Sequence, residues 1–493
     1  MALYSTSTEA GLPADLPRLH CPDTARAKTG IVHLGLGAFY RAHGAVYIAE
    51  AMKASGGDWG IVGVSLVRPD QRDLLAPQGF AYTAVELGPD GEKPQVVGVL
   101  NDVLVAPENP AAVLEIMAAP GTRIVTSTVT EKGYCHEPST GRLNREHPDI
   151  VHDLAHPEAP KSTIGFLVRA LAKRRAAGIR PFTVLCCDNL PENGRVVRGI
   201  VLEFATLVDQ GLADWIAAEG RFPSTMVDRI VPATKPEDVD RLSGQTGVLD
   251  LSPVMHEPFR QWVVEDDFVD GERPDFAAVG VELVKDVTPY EHMKLRCLNG
   301  THSSLAYLGY LAGHETIADT VADPVFAAFV KRLWSDEIVP VLDPPPGVDL
   351  SRYTASLFDR YANPAIRHRT WQIAMDGSQK LPQRILGTVA ENLAAGRMPK
   401  GLCLAIAAWM RYVGGVDEKG QAIDVRDPLA AELKQISDRG HSAAEKVDGL
   451  LSIRKIFPEQ LASNKSLRDE LVRSYERLVA NGAGATVKDM THA

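Results

Sequence analysis

A short run of polar residues in the middle of the chain carries side chains that are able to move protons. The run Tyr290-Glu-His-Met-Lys-Leu-Arg-Cys-Leu-Asn-Gly-Thr-His302 precedes an apolar stretch, and four of its members can transfer protons or donate hydrogen bonds: Glu291, Lys294, Asn299 and His302. On a helix that advances ~100° per residue, the other three side chains lie between ~60° and ~140° from Lys294, so all four share one face. Such a face suits acid–base chemistry, but an exposed surface with an i,i+3 Glu–Lys pair has the same pattern. The segment alone leaves both interpretations open.

The length and composition of the chain limit the class of protein. At 493 residues it is too long for a single hydrophobic core, which predicts two domains or three. Its composition, 45% hydrophobic and 23% charged, is that of a globular protein. The net charge of −11 argues against a nucleic-acid or anionic-membrane partner. No apolar run approaches the ~20 residues that span a bilayer, and the N-terminal residues lack a basic segment followed by an apolar one, so we expect no secretory signal.

The cysteines show no pattern typical of a metal site. No CxxC pair occurs, and no Cys/His spacing is suited to a structural zinc ion. Two adjacent cysteines lie in an apolar, strand-like run, where buried thiols are expected. The sequence therefore predicts a reducing, cytoplasmic location and no bound metal; the cysteines are Cys21, Cys135, Cys186, Cys187, Cys297 and Cys403.

Alternating strands and helices must position the functional residues in the first half of the chain. The predicted strands are β-branched or continuous apolar runs, and the predicted helices have amphipathic spacing. The strands are 30–35, 59–67, 122–130 and 181–187, and the helices are 41–54, 162–177 and 195–210. This alternation predicts an α/β fold, a Rossmann-like, doubly wound parallel sheet with helices on both faces.

After about Val284 the pattern changes to long helices with few strands. The predicted helices are 290–313, 323–339, 383–396, 401–413, 428–437 and 465–480. The sequence therefore predicts two domains, an α/β domain over residues 1–283 and a mainly α-helical domain over residues 284–493.

A pair of glycines follows the first predicted strand and opens the first predicted helix. In Gly35-Leu-Gly37-Ala-Phe-Tyr40-Arg41 their spacing permits a tight turn and lets backbone N–H groups approach a pyrophosphate. Tyr40 replaces the third glycine of the usual G-x-G-x-x-G pattern, and a lone GxG is common in turns. The strand–turn–helix position nevertheless favours a dinucleotide site, in which Arg41 adds positive charge; its candidate residues are Gly35, Gly37, Ala38, Phe39 and Arg41.

A carboxylate beyond the second predicted strand is a candidate for binding the adenosine ribose. Asp70 follows Val67 at about the right distance, where it would accept hydrogen bonds from the ribose hydroxyls and favour NAD over NADP. Arg68 complicates this assignment, since a cation there tolerates a 2′-phosphate. Arg-Pro-Asp is also a common turn composition, so an ordinary loop carboxylate remains the alternative.

With these elements placed, the chain resembles the polyol-specific long-chain dehydrogenase/reductase family, to which the mannitol dehydrogenases belong. The resemblance extends from Gly30 to about Val479. The matching segments, besides Lys294 to His302, are Gly35-Leu-Gly-Ala-Phe-Tyr-Arg-Ala-His43, Thr130-Glu-Lys-Gly-Tyr-Cys135, Cys187-Asp-Asn-Leu-Pro-Glu-Asn-Gly194, Phe222-Pro-Ser-Thr-Met-Val-Asp-Arg-Ile-Val-Pro232 and Glu257-Pro-Phe-Arg-Gln-Trp262.

The resemblance implies metal-independent hydride transfer between NAD(H) and a secondary alcohol or ketone. Lys294 matches the family's catalytic lysine, the general base in alcohol oxidation and the general acid in ketone reduction. That role requires a free amine near neutral pH, and therefore desolvation or nearby positive charge. Gly35, Gly37 and Asp70 match the NAD site of the family.

Further residues match the family's substrate site. Asn189 and Asn299 match residues that polarise the carbonyl or alkoxide oxygen, a role suited to amide donors. His302 matches a substrate-orienting residue, Asp228 a polar residue near the substrate, and Glu291 a residue that gates proton exchange with solvent. Without the resemblance, Asn189 would be interpreted as a turn cap and Asp228 as half of an ion pair.

The distance between Lys294 and His302 constrains the shape of the helix that carries them. Lys294 and His302 are eight residues apart, or ~12 Å along an unbroken α-helix. Both reach one small substrate only if it lies along the helix or if the axis is disturbed. We therefore expect a break or bend near Asn299-Gly300.

The residues that would select the substrate differ from those of the mannitol-type members. Those members usually carry an arginine eight residues before the lysine of the DGSxK segment, and here Gln372 precedes Lys380. The surrounding run looks more like the fructuronate reductase branch, and arginine binds the carboxylate of a hexonate in a bidentate manner. We therefore expect D-mannonate/D-fructuronate before D-mannitol/D-fructose, with a broad arabinitol or sorbitol dehydrogenase third. The candidate substrate residues are Arg296, Gln372 and Lys380, and the other arginines that can meet a carboxylate are Arg367, Arg369 and Arg384.

Two other classes of function remain as alternatives. A catalytically silent NAD-binding sensor would not need the polar set around Lys294. A metal-dependent hydrolase would have to use His33, His43 and His292, which lie on separate elements without HxH or HExxH spacing. We expect a small-molecule partner and a monomer or small homo-oligomer, with NADP a less favoured cofactor than NAD.

Overall fold

The computed structural model describes residues 2–3, 16–19, 26–137 and 140–492 of the chain. These residues divide into two units, Met1–Thr288 and Pro289–Ala493. The change of pattern in the sequence predicts the boundary near residue 284. Each unit has its own hydrophobic core, so the two are described separately.

The strands all lie in the first unit. They are β1 (Ala2–Leu3), β2 (Arg18–Leu19), β3 (Thr29–Leu34), β4 (Gly60–Ser65), β5 (Tyr82–Gly88), β6 (Gly91–Val97), β7 (Leu100–Val105), β8 (Ile124–Ser127), β9 (Thr183–Cys186), β10 (Thr225–Asp228), β11 (Val248–Leu249), β12 (Val254–His256), β13 (Gln261–Glu265) and β14 (Glu282–Val284) among the described residues.

The helices occur in both units. Those of the first unit are α1 (Ala38–Ala42), α2 (Gly44–Ser55), α3 (Asp70–Leu75), α4 (Pro110–Ala118), α5 (Pro148–Ala155), α6 (Thr163–Ala176), α7 (Asn193–Val208), α8 (Gln210–Glu219) and α9 (Pro236–Thr246). From the unit boundary onward follow α10 (Thr288–Met293), α11 (Thr301–Leu311), α12 (Ile317–Ala322), α13 (Pro324–Arg332), α14 (Leu350–Ala362), α15 (Thr370–Ala374), α16 (Gly377–Leu381), α17 (Gly387–Ala394), α18 (Lys400–Tyr412), α19 (Ala430–Arg439), α20 (Ala443–Leu451), α21 (Glu459–Ala462), α22 (Lys465–Asn481) and α23 (Ala483–His492). Within the part of the chain that the structure describes, three segments are π-helical, Lys294–Gly300, Leu333–Ile338 and Pro382–Leu386.

A five-stranded parallel sheet forms the centre of the first unit. Its strand order is β7–β4–β3–β8–β9. Alternate residues of β3 enter two different cores, Val32 and Leu34 on one face and Ile31 on the other, as the period of two requires. Helices α4, α6, α7 and α8 contribute to the first core, and α1 and α2 to the second. Ligands bind beyond the carboxyl ends of the strands in such sheets. We therefore expect the loops after β3, β8 and β9 to contribute to the site.

Smaller sheets surround this one in the first unit. One has the order β12–β5–β6–β2, in which β5 and β6 form an antiparallel hairpin. Another has the order β10–β13–β14, and β1 pairs with β11. These strands are not predictable from the sequence pattern, because runs of two to seven residues carry little periodicity.

The second unit is built from helices around one core. Nearly every residue of α11 and α18 is buried, so these two helices pass through its centre, as helices that are apolar on all sides must. Helix α15 packs against α11, and α22 packs against α18. The predicted fold class, a doubly wound parallel sheet followed by a mainly helical domain, is confirmed.

The first predicted helix is interrupted. The sequence favoured one helix over 41–54, but the chain leaves helical geometry at His43 (φ −125°, ψ −85°), which separates α1 from α2. The cause is tertiary: the buried His43 ring stacks on Phe39 with centroids 5.1 Å apart, and its Nε2 lies 2.9 Å from the carbonyl oxygen of Gln261.

The cysteines within the described residues are free thiols. Cys135, Cys186, Cys187, Cys297 and Cys403 are all buried, and Cys21 lies outside the described residues. In the described part of the chain no helix has the length and apolar character that crossing a bilayer requires.

Candidate active site

The loop after β3 exposes backbone rather than side chains. Gly35 has φ +87°, and a Cβ there would lie 2.3 Å from the carbonyl oxygen of Thr128, so the position requires glycine. At Gly37 a Cβ would approach only the Gly35 carbonyl, at 3.8 Å, so packing within the chain does not explain this glycine. Gly37 is also the N-cap of α1 and has no side chain to cap it. The first-turn N–H groups can therefore bind a ligand, and this geometry fits the phosphates of a dinucleotide.

The side chains that follow this loop turn into the unit. Arg41 is 3% exposed, its Nη1 donates to the carbonyl of Ser252 at 2.6 Å, and its guanidinium lies 5.2 Å from the centre of the Tyr82 ring. Arg41 is thus engaged inside the first unit and does not project from the loop, contrary to the hypothesis that it adds charge for phosphates. Ala38 and Phe39 are half-buried at the start of α1.

Asp70, the candidate for binding the ribose, is the first residue of α3. Its Oδ2 lies 3.2 Å from Nε of Arg68, and the two side chains are 55% and 77% exposed. The two opposing charges noted in the sequence therefore form one ion pair. Because such exposed pairs contribute at most about 1 kcal/mol, Asp70 can exchange this partner for ribose hydroxyls at little cost.

Asp188 anchors the loop that carries Asn189. Asn189 is exposed just beyond β9. The Asp188 carboxylate accepts hydrogen bonds from the N–H groups of Val129 (2.9 Å) and Thr130 (3.0 Å) and from the hydroxyl of Tyr134 (2.6 Å). Burial raises the pKa of Asp188, and these three hydrogen bonds oppose that shift. Since Val129 and Thr130 follow β8, one carboxylate fixes the loops at the ends of two neighbouring strands.

Asn193 joins the same loop to the strand that ends in Asp228. Its amide nitrogen donates to the carbonyls of Cys186 (3.2 Å) and Thr225 (3.0 Å), and its oxygen accepts from the N–H of Thr225 (2.9 Å). Strand β10 runs from Thr225 to Asp228, which is 4% exposed. The backbone segments that carry Asn189 and Asp228 are therefore fixed to each other within the first unit.

The histidines of the hydrolase alternative do not converge. His33 is fully buried, with Nδ1 2.8 Å from Thr126 Oγ1 and Nε2 2.9 Å from Thr128 Oγ1. Burial lowers the pKa of His33, and likewise that of His43, to about 3. Within the described residues, His33, His43 and His292 form no group of converging metal ligands.

The proton-moving run of the sequence lies on one continuous helix whose middle is π-helical. Helix α10 leads into the π segment Lys294–Gly300, which leads into α11. A break or bend was expected near Asn299-Gly300, and the chain there departs from regular α-helix as a wide turn with right-handed helical backbone (Gly300, φ −65°, ψ −51°). A Cβ on Gly300 would lie 2.7 Å from the carbonyl oxygen of Arg384, so this glycine lets the π segment Pro382–Leu386 approach closely. Wide turns of this kind are frequent at functional sites.

Side chains from other helices occupy the carbonyls of the wide turn. The indole Nε1 of Trp334 donates to the carbonyl of Cys297 at 2.9 Å, and the hydroxyl of Tyr361 donates to that of Leu298 at 2.7 Å. A π turn displaces the regular i→i+4 hydrogen bonds, so the carbonyls need such partners. The register of the helix that carries Lys294 is thus fixed by tertiary contacts.

The polar residues of this helix are mostly removed from water. Lys294 and His302 are each 7% exposed, and Glu291 and Asn299 are half-buried. The alternative interpretation, an ordinary solvated face with a Glu–Lys pair, does not fit this burial. A lysine and a histidine so deeply buried are more consistent with chemistry than with solubility.

His302 lies among positive charges. Its ring is 4.8 Å from that of His368 and 5.2 Å from that of Tyr361. Burial lowers the pKa of His302 well below its ordinary value, and His368 together with three cationic side chains lowers it further; these three, hereafter the cationic group, are Arg384, Arg360 and Lys380. The pKa of His368 falls to about 4, again mainly through burial. Both imidazoles are therefore neutral at pH 7, and the arginines of the cationic group are side chains of the type that binds an anionic group.

The arginines proposed from the sequence separate into two sets. Nη1 of Arg384 donates to Ser303 Oγ, next to His302, at 3.2 Å. Arg296 instead makes a bidentate pair with Glu391, with Nη2 2.7 Å from Oε1, so its guanidinium is engaged outside the cationic group. Arg367 and Arg369 both pair with Glu315 at the surface, at 3.6 and 3.5 Å.

The remaining candidate substrate residues lie on adjacent short helices. Lys380, on α16, donates from Nζ to the carbonyl of Ile373 on α15 at 3.3 Å. Gln372 precedes Ile373 and is exposed. Lys380 thus belongs both to the cationic group and to the neighbourhood of Gln372.

Sequence reasoning missed several of these residues. Arg360 is 8% exposed on α14 and His368 lies in the loop before α15; neither belongs to a recognisable motif. Asp188 and Asn193 had a usable signal, since both lie just beyond a predicted strand, where polar residues often carry function.

Comparisons with known proteins cover nearly the whole chain. Residues 29–277 match the family model of the mannitol dehydrogenase Rossmann domain, and residues 286–479 match that of the mannitol dehydrogenase C-terminal domain. Among characterised proteins, the chain is 46% identical over 484 residues to the D-mannonate oxidoreductase of Escherichia coli K12, covering 97% of this chain and 98% of that protein.

Mannitol dehydrogenases match nearly as extensively. The mannitol 2-dehydrogenase of Pyricularia oryzae is 40% identical over 478 residues, which cover 95% of this chain and 94% of that one. The structure of mannitol 2-dehydrogenase from Pseudomonas fluorescens, a ternary complex with NAD and D-mannitol, superposes with a TM-score of 0.89 at 39% identity and covers all of both chains.

Proposed function

The chain belongs to the mannitol dehydrogenase family and is an oxidoreductase, and from this premise we propose that it interconverts D-mannonate and D-fructuronate with NAD(H). The D-mannonate oxidoreductase of Escherichia coli supports this substrate pair through its identity of 46% over almost the full length. The mannitol 2-dehydrogenases are also extensively similar, so overall similarity alone does not select the substrate. Features of the site must do so.

The cationic group is the observation that carries the assignment. Arg384, Arg360 and Lys380 act together on the buried His302. A hexonate has a carboxylate that arginine binds with short, charge-assisted hydrogen bonds, and a polyol has no such group. Gln372 agrees with this reading, because the mannitol-type arginine is missing at its position.

The loop after β3 would hold the cofactor. Gly37, which no contact within the chain requires to be glycine, and the first turn of α1 would bind the pyrophosphate, and Asp70 would bind the adenosine ribose and favour NAD. When bound, NAD supplies the acceptor for the hydride of the secondary alcohol.

Lys294 is the proposed acid–base residue. Its amine takes the proton of the substrate hydroxyl during oxidation and returns it during reduction. The exposure of Lys294, 7%, provides the desolvation that this role requires. Asn299 and Asn189 donate to the oxygen on which negative charge develops, while the neutral His302 orients a neighbouring hydroxyl. Asp228 lies near the substrate, and Glu291 exchanges the proton of Lys294 with solvent.

The direct test is a comparison of substrates in both directions. NADH oxidation would be followed with D-fructuronate and D-fructose, and NAD reduction with D-mannonate, D-mannitol, D-arabinitol and D-sorbitol. We expect the highest kcat/KM for the fructuronate–mannonate pair, and we expect turnover at 25 °C to survive exhaustive chelation. A preference for mannitol would overturn the substrate assignment, and no turnover with any of these compounds would overturn the family branch.

A further inference from the structure

A group of metal-ligand side chains lies in the first unit, apart from every residue assigned above. One ligand atom each from Cys135, His147 and Asp149 lie within 4.8 Å of one another. Cys135 is 4% exposed, whereas the side chains of His147 and Asp149 are 34% and 46% exposed. The thiol therefore forms the floor of a small site, and the imidazole and carboxylate form its rim.

A hairpin brings these residues together across fourteen positions of sequence. The N–H of Asn144 donates to the carbonyl of Cys135 at 2.9 Å, and His136 and Leu143 form an antiparallel bridge beside them. The N–H of His147 donates to the carbonyl of Asn144 at 3.1 Å. Because Asn144 is itself bonded to Cys135, this turn places His147 close to Cys135. The spacing of the ligands along the sequence did not predict a metal site. Spacing motifs detect ligands that are close in sequence, whereas here a hairpin brings distant ligands together.

The start of α5 holds the two rim residues in place. His147 is the N-cap of this helix, Pro148 fixes the next turn, and the N–H of Asp149 donates to Nδ1 of His147 at 3.2 Å. An N–H group can only donate, so Nδ1 carries the lone pair and the proton is on Nε2. A metal ion bound at this nitrogen, which lies 3.9 Å from Oδ2 of Asp149, would therefore replace the hydrogen bond from the Asp149 N–H.

The charges and dimensions suit a metal ion. Among the described residues no lysine or arginine pairs with Asp149, whose Oδ2 lies 3.9 Å from Nδ1 of His147. Zinc holds sulfur at ~2.3 Å and nitrogen or oxygen at ~2.0–2.2 Å, which places tetrahedral ligands roughly 3.3–3.7 Å apart. Contraction from 4.8 Å to this range needs a movement of about 1 Å, which rotation of the two partly exposed side chains supplies.

We propose that Cys135, His147 and Asp149 form a Zn²⁺ site whose fourth ligand is water. The mixture of thiolate, imidazole and carboxylate suits a borderline-soft cation and disfavours Mg²⁺ and Ca²⁺, which take oxygen ligands. On binding, the Cys135 thiol releases its proton to solvent and the thiolate bonds to the metal.

The proposed ion is structural rather than catalytic. It would tie the hairpin to α5 and hold Cys135, the neighbour of Tyr134, whose hydroxyl bonds Asp188. Zinc should therefore stabilise the loops at the ends of β8 and β9. The inference does not depend on the substrate or on the acid–base assignment.

Direct metal binding tests the site in the full-length protein. Metal-free protein would be titrated with Zn²⁺ in competition with a chromogenic chelator, and with Co²⁺ as a spectroscopic substitute. We expect one Zn²⁺ per chain, a sulfur-to-Co²⁺ charge-transfer band in the near-ultraviolet, and a zinc-dependent rise in Tm. Cys135→Ser should abolish the band, and Cys135→Ser and Asp149→Asn should each weaken Zn²⁺ binding by about 100-fold or more. His136→Ala, in the same hairpin but outside the converging group, is the matched control and should bind as the wild type does.

The contrary results are equally definite. Substoichiometric zinc, a Co²⁺ complex without the charge-transfer band, or unchanged affinity in both ligand variants would overturn the proposal. Thermal unfolding of the metal-free proteins identifies any variant that is misfolded. Asp149→Asn keeps the size and polarity of the first turn of α5, so it remains informative if Cys135→Ser does not fold.

Discussion

Replacement of Arg384 by glutamine should weaken catalysis on a sugar acid far more than catalysis on a polyol. Arg384 belongs to the cationic group around His302 and donates to Ser303 at 3.2 Å. Glutamine keeps a hydrogen-bond donor and removes the positive charge. Loss of the Ser303 contact affects every substrate, whereas loss of the charge affects only a substrate that carries a carboxylate.

The expected size follows from the strength of a charge-assisted hydrogen bond. Such a bond to a charged group contributes about 1.5–3 kcal/mol. Because each 1.36 kcal/mol is tenfold in rate, kcat/KM for D-mannonate should fall by about 10- to 150-fold relative to that for D-mannitol. The buried Arg360 can supply part of the attraction, so Arg360→Gln combined with Arg384→Gln should change the ratio further.

The assay is the ratio of kcat/KM for mannonate to that for mannitol, with NAD as cofactor. Dividing the two constants removes losses that arise from folding or from the contact with Ser303. Arg367→Gln is the control, since Arg367 pairs with Glu315 at the surface and its loss should leave the ratio unchanged. A ratio within threefold of the wild-type value in both the single and the double variant would refute the role of the cationic group.

Four further changes test other parts of the structure. Lys294→Ala should lower kcat by at least about 100-fold while NADH binding, followed by fluorescence, persists; retained activity would exclude Lys294 as the acid–base residue. Asp70→Ala should raise the kcat/KM ratio of NADP to NAD, and an unchanged ratio would mean that Asp70 does not bind the ribose. Burial raises the pKa of Glu337 from 4.5 to about 7; the wild-type free energy of unfolding should therefore fall as pH rises between these values, by up to about 3 kcal/mol, because the unfolded chain loses this proton first. Glu337→Gln should lose this dependence in urea unfolding at about pH 5 and pH 8, and equal pH dependence in both proteins would contradict the assignment. Gly300→Ala should reduce the free energy of unfolding by about 1–3 kcal/mol, since its Cβ would meet the Arg384 carbonyl at 2.7 Å; an unaltered urea midpoint would show that the π segments yield without cost.

The sequence contained enough to predict the architecture and one helix of the candidate site. The alternation of strands and helices predicted the parallel sheet. The spacing of Lys294, Asn299 and His302 predicted a helix with acid–base and hydrogen-bonding groups on one face. Arg360 and His368 were not predictable, because their meeting with His302 depends on how α14 and the loop before α15 pack. Local sequence motifs contain information only about residues that are close together in the sequence.

The same limit explains the residues whose predicted environment differs in the structure. Arg41 follows the glycine loop and Arg296 lies within the run of polar residues, so both were plausible ligand-binding cations. Their guanidinium groups are directed to Ser252 and to Glu391, partners that are 211 and 95 residues away. The long side chain of an arginine can reach in several directions from one backbone position, so its sequence position does not determine which group it meets.

The wide turn at Lys294–Gly300 makes the active helix tolerant of a change in chain length that a regular helix would not tolerate. Relative to an α-helix, a π turn accommodates an inserted residue. Deleting one residue from a regular α-helix rotates every following side chain by ~100° and shifts it by ~1.5 Å. Deleting one residue within this turn would instead restore regular winding, so the side chains from His302 onward would keep nearly the same direction relative to Lys294. Within this family, a one-residue gap in this part of an alignment is therefore compatible with the same chemistry, provided that Lys294 and His302 are both retained.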